Sequence, residues 1–285
     1  GTSTNSNEAS ATTVPAAPTG LAASANGTAA IDLSWAASSG ATSYNVLRST
    51  TSGLEALLAS ATTSPYHDTG VSAGTTYYYV VQAVNSGGTS ANSNEATATT
   101  VPSAPSGVGA SATANKIQVD LSWTASTGAT GYNLLRSATT GGPYSPVGSL
   151  PTTTGVSYSD TTVAANTTYF YVVQAVDSGG TSANSSEVTA TTVPATPTGV
   201  VANGISATEI DLSWAAVTGA TGYDVLRGSV SGGPYTLVGT SPTTSTASLN
   251  DTGLSAATTY FYVVEARSAS GPSANSTEVS GTTTP

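Results

Sequence analysis

Residues 1–15, GTSTNSNEASATTVP, recur at 88–102 as GTSANSNEATATTVP, and related segments return at 180–194 and 271–285. A chain that copies itself at a nearly fixed spacing folds as copies of one unit, so the repeat sets the domain count before length does. The segments begin at 1, 88, 180 and 271, giving periods of 87, 92 and 91 residues. A period of that length can bury a core of its own. The sequence therefore divides into the last strand of a preceding repeat, 1–15, and three complete repeats at 16–102, 103–194 and 195–285. A lone terminal strand presents unpaired N–H and C=O groups and is expected to seek a partner sheet.

Within the first repeat, Ile31-Asp32-Leu33-Ser34-Trp35 alternates strictly and sets Ile31, Leu33 and Trp35 on one face. Tyr44 and Val46 take the inward phase of the next strand. A long strand over Tyr77–Val84 follows, then a hairpin turn at Gly87-Gly88 and a last strand over 89–100. Leu121/Trp123 and Leu212/Trp214 repeat the first of these patterns, and Tyr132/Leu134 and Tyr223/Val225 the second. The long strand returns from Tyr169 and from Tyr260. Seven short alternating strands with turn signals between them predict an all-β chain of three tandem seven-stranded antiparallel sandwiches. The joints TTVPSAPSGV and TTVPATPTGV are short, and their prolines favour extended geometry over free flexing. Strands of this length predict sandwiches in series as a rod of roughly 100 Å.

These residues carry a family resemblance. A Trp on the second strand, and a Tyr preceded six residues earlier by an aliphatic (Val71/Tyr77, Val163/Tyr169, Leu254/Tyr260), resemble fibronectin type III domains and their tyrosine corner. The phrases PAAPTGL, SGATSYNVLRS, SGGPY, YSDTT and TTYFYVVQAV are similar to the secreted bacterial variety. The resemblance covers 16–285 and departs at 53–60, where GLEALLAS replaces the GGPYxxVG of the other repeats. No Arg-Gly-Asp is present, so the integrin-binding loop of animal relatives is not implied.

Composition narrows the function classes. Five basic residues stand against 15 acidic ones, for a net charge of −10 and a pI near 4.1. Nucleic-acid binding needs clustered Lys and Arg, and an anionic membrane would repel this chain. There is no Cys, hence neither disulfide nor thiol chemistry. There is no Met even at position 1, as expected of a processed chain or a fragment. No apolar run approaches a membrane span, and the expected location is extracellular or at the cell surface. Ser and Thr make up 95 of the 285 residues, so hydroxyls, or something attached to them, supply solubility.

The side chains offer little chemistry. Trp35, Trp123 and Trp214 lie on the inward phase and are expected in the cores with Tyr77, Tyr169 and Tyr260, leaving no tryptophan as a sugar platform. His67, the single histidine, is replaced by Ser159 and Asn250 in the other repeats and reads as a surface residue. Without a second His, a Cys or a nearby Lys, no base activates a serine. The carboxylates of Asp68, Asp160 and Asp251 are solitary groups copied once per repeat, where a glycosidase needs a matched pair. They are expected to cap the turn that follows them. The segments NSNE and NSSE lack the graded oxygen ligands of a calcium loop. No catalytic, cofactor or metal residue is assigned. Arg48, Arg136 and Arg227 are expected to form a pair within each repeat, with the glutamate of the last strand (Glu95, Glu187, Glu278) as the suggested partner.

Two surface features remain. Leu47, Tyr78 and Val80, with Leu135, Phe170 and Val172 and with Leu226, Phe261 and Val263, fall on the outward phase and form a candidate lateral interface. Asn26, Asn166, Asn184, Asn250 and Asn275 begin Asn-x-Ser/Thr sequons and are candidate glycan sites. The leading functional expectation is a non-catalytic segment of an extracellular fibre, filament or surface stalk that self-associates end to end. The alternatives are a spacer of a secreted polysaccharide-degrading enzyme, which the resemblance permits, and an adhesin.

Overall fold

The computed structural model describes residues 7–150, 155–241 and 247–285. Among them there is no helix, and every element is a strand. The first repeat contains β1 (Thr19–Ala25), β2 (Ile31–Ala36), β3 (Ser43–Ser49), β4 (Ala56–Ala61), β5 (Tyr66–Asp68), β6 (Thr76–Asn85), β7 (Gly88–Thr89) and β8 (Ala96–Thr99). The second runs from β9 (Ser106–Ala112) through β10 (Val119–Thr124), β11 (Gly131–Ser137), β12 (Ser145–Leu150), β13 (Ser157–Asp160), β14 (Thr168–Asp177) and β15 (Gly180–Thr181) to β16 (Val188–Thr191). The third repeats the order as β17 (Val201–Ser206), β18 (Glu209–Ser213), β19 (Gly222–Gly228), β20 (Thr236–Ser241), β21 (Ser248–Thr252), β22 (Thr259–Ser268), β23 (Gly271–Pro272) and β24 (Val279–Thr282).

Each repeat is a two-sheet antiparallel sandwich. In the first, β1-β2-β5 faces β4-β3-β6-β7, and β8 also pairs with β6. The expected alternation holds: Ile31, Leu33 and Trp35 are 0, 1 and 7% exposed, and Tyr44, Val46, Tyr79, Val81 and Ala83 fill the space opposite. Trp123 and Trp214 occupy the equivalent sites at 5 and 6% exposure. Each indole meets a tyrosine edge-on at 5.3–5.4 Å (Tyr44, Tyr132, Tyr223), a favoured aromatic geometry. Tyr77 is buried, whereas Tyr169 and Tyr260 are half-buried and packed against their cores.

Three expectations need correction. The last strand is split, with β7 and β8 separated by residues 90–95. Serines explain the gap. Ser90 and Ser93 accept the Ala83 and Val81 N–H groups through their hydroxyls, at 2.9 and 3.0 Å, where a ladder carbonyl would have done so. The hairpin turn is Ser86-Gly87, because Asn85 pairs directly with Gly88. Residues 7–18 form no strand; residues 1–6 of that expected strand lie outside the described residues.

The segment 12–14 nevertheless has a place. A Cβ at Gly87 would collide with the Thr12 carbonyl, and Val14 packs on Gly88. Gly179 meets Thr99 and Thr100 in the same way, and Val101 packs on Gly180. Val193 lies against Gly271. Thus the end of each repeat leans on the hairpin turn of the next, and the residues before the first repeat copy that contact. A second contact runs from the loop after β5, or after β13, to the turn that opens the next repeat's four-stranded sheet. Gly74 meets Thr127-Gly128 backbone to backbone, and the Asn166 amide seats on Gly219. At the second joint the Asn115 N–H also donates to the Pro272 carbonyl at 3.0 Å. The exposed surface, 13,859 Å², lies nearer the ~15,000 Å² of three separate globules of this size than the ~11,000 Å² of one.

Gly128 has φ +74° and no room for a Cβ beside the Gly74 carbonyl. Gly128→Val is therefore expected to displace the second repeat from the first. Small-angle X-ray scattering should report an altered inter-repeat geometry, with the third repeat's unfolding midpoint unchanged.

Candidate functional site

The recurrent cluster of charged and polar side chains lies between the sheets, at the end of each core. Arg48 shares the inward phase of Tyr44 and Val46, and Asp68 that of Tyr66, so the two face each other across the sandwich. The Arg48 Nη1 donates to Asp68 at 2.8 Å, and Asp68 is 2% exposed. Tyr79 donates its hydroxyl to the same carboxylate at 2.8 Å, and the Gly70 N–H donates at 3.0 Å. The guanidinium lies 5.1 Å from the centre of the Tyr77 ring. The Tyr77 hydroxyl in turn accepts the Ser72 N–H at 2.9 Å, closing the tyrosine corner. Arg136 with Asp160, Tyr171 and Tyr169, and Arg227 with Asp251, Tyr262 and Tyr260, rebuild the node at 2.7 and 2.8 Å.

The arginine partner is thus the strand aspartate, and the suggested glutamate pairing is corrected. The glutamates directly precede the last strand and bind the turn before the fourth strand. Glu95 accepts from Ser52 and the Gly53 N–H, and Glu187 and Glu278 accept from Thr140, Gly141 and Tyr144 and from Ser231, Gly232 and Tyr235. The expected turn-capping by the aspartates is present in the first two repeats, where Gly70 and Thr162 N–H groups donate to Asp68 and Asp160. The residue parity of Arg48 and Asp68 was the available signal for the pair.

Burial pushes the Asp160 carboxyl up, but the Thr162 hydroxyl and N–H, the Arg136 guanidinium and the Tyr171 hydroxyl together hold it below its ordinary value. Burial and then the adjacent Asp160 drive the Tyr171 hydroxyl far above its ordinary range. Such a network binds its proton acceptor tightly and leaves no group poised to exchange protons near neutrality. In the third repeat Asp224 and Glu265 are direct cross-strand neighbours where the others carry Asn45/Gln82 and Asn133/Gln174. Burial, then Asp224, raises the Glu265 carboxyl. Arg267 lies 3.3 Å from Asp224.

The remaining candidates are dispersed. His67 is 64% exposed, and its Nδ1 lies 2.7 Å from Asp32, a contact not foreseen. Among the outward residues, Val80, Val172 and Val263 are only 4, 2 and 2% exposed. Each is a short side chain on a central strand beside a leucine (Val80 opposite Leu47, Val172 opposite Leu135, Val263 opposite Leu226), so it adds almost nothing to a lateral surface. Leu47, Tyr78, Leu135, Phe170, Leu226 and Phe261 are half-buried. Asn26, Asn184, Asn250 and Asn275 are exposed, whereas Asn166 is half-buried at the second joint. Among the described residues no group of three His, Asp or Glu side chains converges to hold a metal, and no helix is long and apolar enough to cross a membrane.

This architecture defines a class: tandem antiparallel sandwiches, each closed by a tyrosine corner. The model of the fibronectin type III domain matches residues 16–99, and the second and third repeats carry the core tryptophan, the arginine–aspartate pair and the corner tyrosine at the equivalent sheet positions. The chain belongs to the fibronectin type III family. It is 37% identical over 288 residues to exoglucanase B of Cellulomonas fimi and 36% identical over 299 residues to endoglucanase B of Cellulomonas fimi, in both cases over 90% of this chain. To chitinase A1 of Niallia circulans it is 34% identical over 190 residues, 61% of this chain. The chain spans 24, 26 and 24% of the length of these three relatives.

Removing the buried acceptor is expected to be costly. Asp160→Asn should destabilise the second repeat by about 3–5 kcal/mol, as for a buried pair left with one charge, measured by urea unfolding. The folded Asp160 carboxyl lies below its unfolded value, so its stabilisation is complete above the ordinary aspartate pKa of about 3.9. It is lost as pH falls through the lower folded value, which thermal melts from pH 5 to pH 2 would resolve. Glu265 has the opposite sign: its contribution is favourable below the ordinary value and is lost as pH rises through the raised one. Glu265→Gln is therefore expected to raise the third repeat's melting temperature at pH 7 and to leave it little changed at pH 3.

Proposed function

We propose that this chain is a non-catalytic spacer within a secreted polysaccharide-degrading enzyme. The observation that carries this reading is the pattern of likeness. Nine-tenths of the chain aligns with about a quarter of an exoglucanase and of an endoglucanase, while the rest of each relative has no counterpart here. The architecture suits the role. Repeats joined end on, with glycine-tight joints, hold two flanking modules at a set separation rather than letting them drift. The relatives support this spacer reading over the fibre or filament, and they lend no support to glycosylation.

Extracellular placement follows from the same reading. Hydroxyl-rich surfaces, the absence of Cys and a strongly acidic balance suit a chain that works outside the cell among neutral polymers.

The test is to recover the whole polypeptide from culture medium with antibodies against residues 16–285, and to measure its mass and its activity. The expected product is several times larger than 27.8 kDa and hydrolyses a polysaccharide. Deleting residues 16–285 from it should leave turnover of soluble oligosaccharides unchanged and slow the attack on insoluble polymer. A product made of such repeats alone, assembled into filaments under the electron microscope, would reject the spacer reading in favour of the fibre.

A further inference from the structure

The three hairpin turns at the joints differ at one position. Asn85, Asp177 and Ser268 each end the long strand and begin the turn. In the first repeat Asn85 fastens the joint with its whole amide. Its Oδ1 accepts the Gly87 N–H at 2.8 Å, and its Nδ2 donates to the Thr13 carbonyl at 2.9 Å and to the Gly40 carbonyl at 3.1 Å. Asp177 keeps the first half of this arrangement, its Oδ1 accepting the Gly179 and Gly180 N–H groups at 2.7 and 3.0 Å. Its Oδ2 therefore stands where the Nδ2 of Asn85 stands.

The surroundings correspond residue for residue. Gly179 seats on Thr99 and Thr100 as Gly87 does on Thr12 and Thr13. Gly128 has the φ of Gly40, +74°. By this correspondence the Oδ2 of Asp177 is placed toward the carbonyls of Thr100 and Gly128, where an amide would donate to both. A carboxylate oxygen has no hydrogen to give them. Asp177 is 9% exposed, and its Oδ2 is buried without a hydrogen-bond partner. No ion pair joins it to any Arg, Lys or His among the described residues. Oxygens that converge without a donor repel one another, and a buried acceptor left alone is costly.

We infer that Asp177 holds a hard, oxygen-seeking cation between the first and second repeats, with the Thr100 and Gly128 carbonyls as its other protein ligands. The cation replaces the two hydrogen atoms that Asn85 supplies in the preceding joint. Ser178 and Gly128 are exposed, so water completes the shell. One carboxylate and two carbonyls make a weak site, with a dissociation constant on the order of 10⁻⁴–10⁻³ M, as in extracellular calcium modules. The joint would then stiffen with the cation content of its medium, while the preceding one would not.

The experiment is titration calorimetry on the intact, chelator-treated chain, with calcium chloride and with sodium chloride in separate series. One cation per chain is expected, with a rise in the melting temperature of the second repeat; which salt produces it distinguishes a divalent from a monovalent occupant. Asp177→Asn installs the side chain that already serves at position 85, so it folds and is expected to bind none. Asn85→Asp is expected to raise the stoichiometry to two. Failure of the unaltered chain to bind either cation, or a stoichiometry that stays at one in Asp177→Asn, overturns the inference.

Discussion

A carboxylate withdrawn from water at the end of each core is the constraint on which the rest depends. Asp68, Asp160 and Asp251 are 2, 0 and 6% exposed, and burying an uncompensated charge is prohibitive. Each is answered from the opposite sheet, by an arginine and a tyrosine of the larger sheet reaching the last strand of the three-stranded one. The two sheets are thereby locked in register where hydrophobic contact alone would let them slide. The arginine also rests on the corner tyrosine, whose hydroxyl fixes the following loop. That loop is tied from the other side by Thr100, whose buried hydroxyl donates to the Ser72 carbonyl at 2.6 Å, a clasp repeated by Thr192 and Thr283. Gly74 and Asn166, the residues that touch the next repeat, sit in these loops. A charge pair inside one sandwich therefore sets the geometry of the joint to its neighbour.

Period-2 alternation made the fold legible, because Ile31, Leu33 and Trp35 could face only one way once a core existed. The same alternation contained the Arg48–Asp68 pair, since Arg48 follows Tyr44 and Val46 at even spacing and Asp68 follows Tyr66. What hid it was residue type: a charge on an inward phase reads as a strand end, and the cross-sheet pairing is a three-dimensional fact. The outward valines misled for the opposite reason. Parity gives direction and says nothing of shielding, so Val80 points outward and is still 4% exposed. The joints were legible only as short and proline-containing. Their glycine-to-backbone contacts depend on the mutual orientation of two domains, which one repeat's pattern does not carry.

Repetition also conceals. A residue copied in every unit draws attention as a candidate site, and Asp68 and Glu95 both turned out to brace their own sandwich. Asp177 and the Asp224/Glu265 pair were overlooked because each occurs once. In an array, the position that differs between otherwise equal copies is the better place to look for chemistry, since the shared framework already satisfies the fold.

Part of the hydroxyl-rich composition finds its explanation in the split last strand. Ser90 and Ser93 hold the long strand's N–H groups across a stretch that makes no continuous ladder, and Ser182/Ser185 and Ser273/Ser276 do the same. Ser185 and Ser276 are the middle residues of two Asn-x-Ser/Thr sequons, and the Asn184 side chain of the first accepts from Gln174 at 2.8 Å. The Asn184 amide of the first sequon thus braces the neighbouring strand. Where ladder hydrogen bonds give way to side-chain hydroxyls, the edge of the sheet is blunted against pairing with another chain. Serine in this segment therefore closes the sandwich.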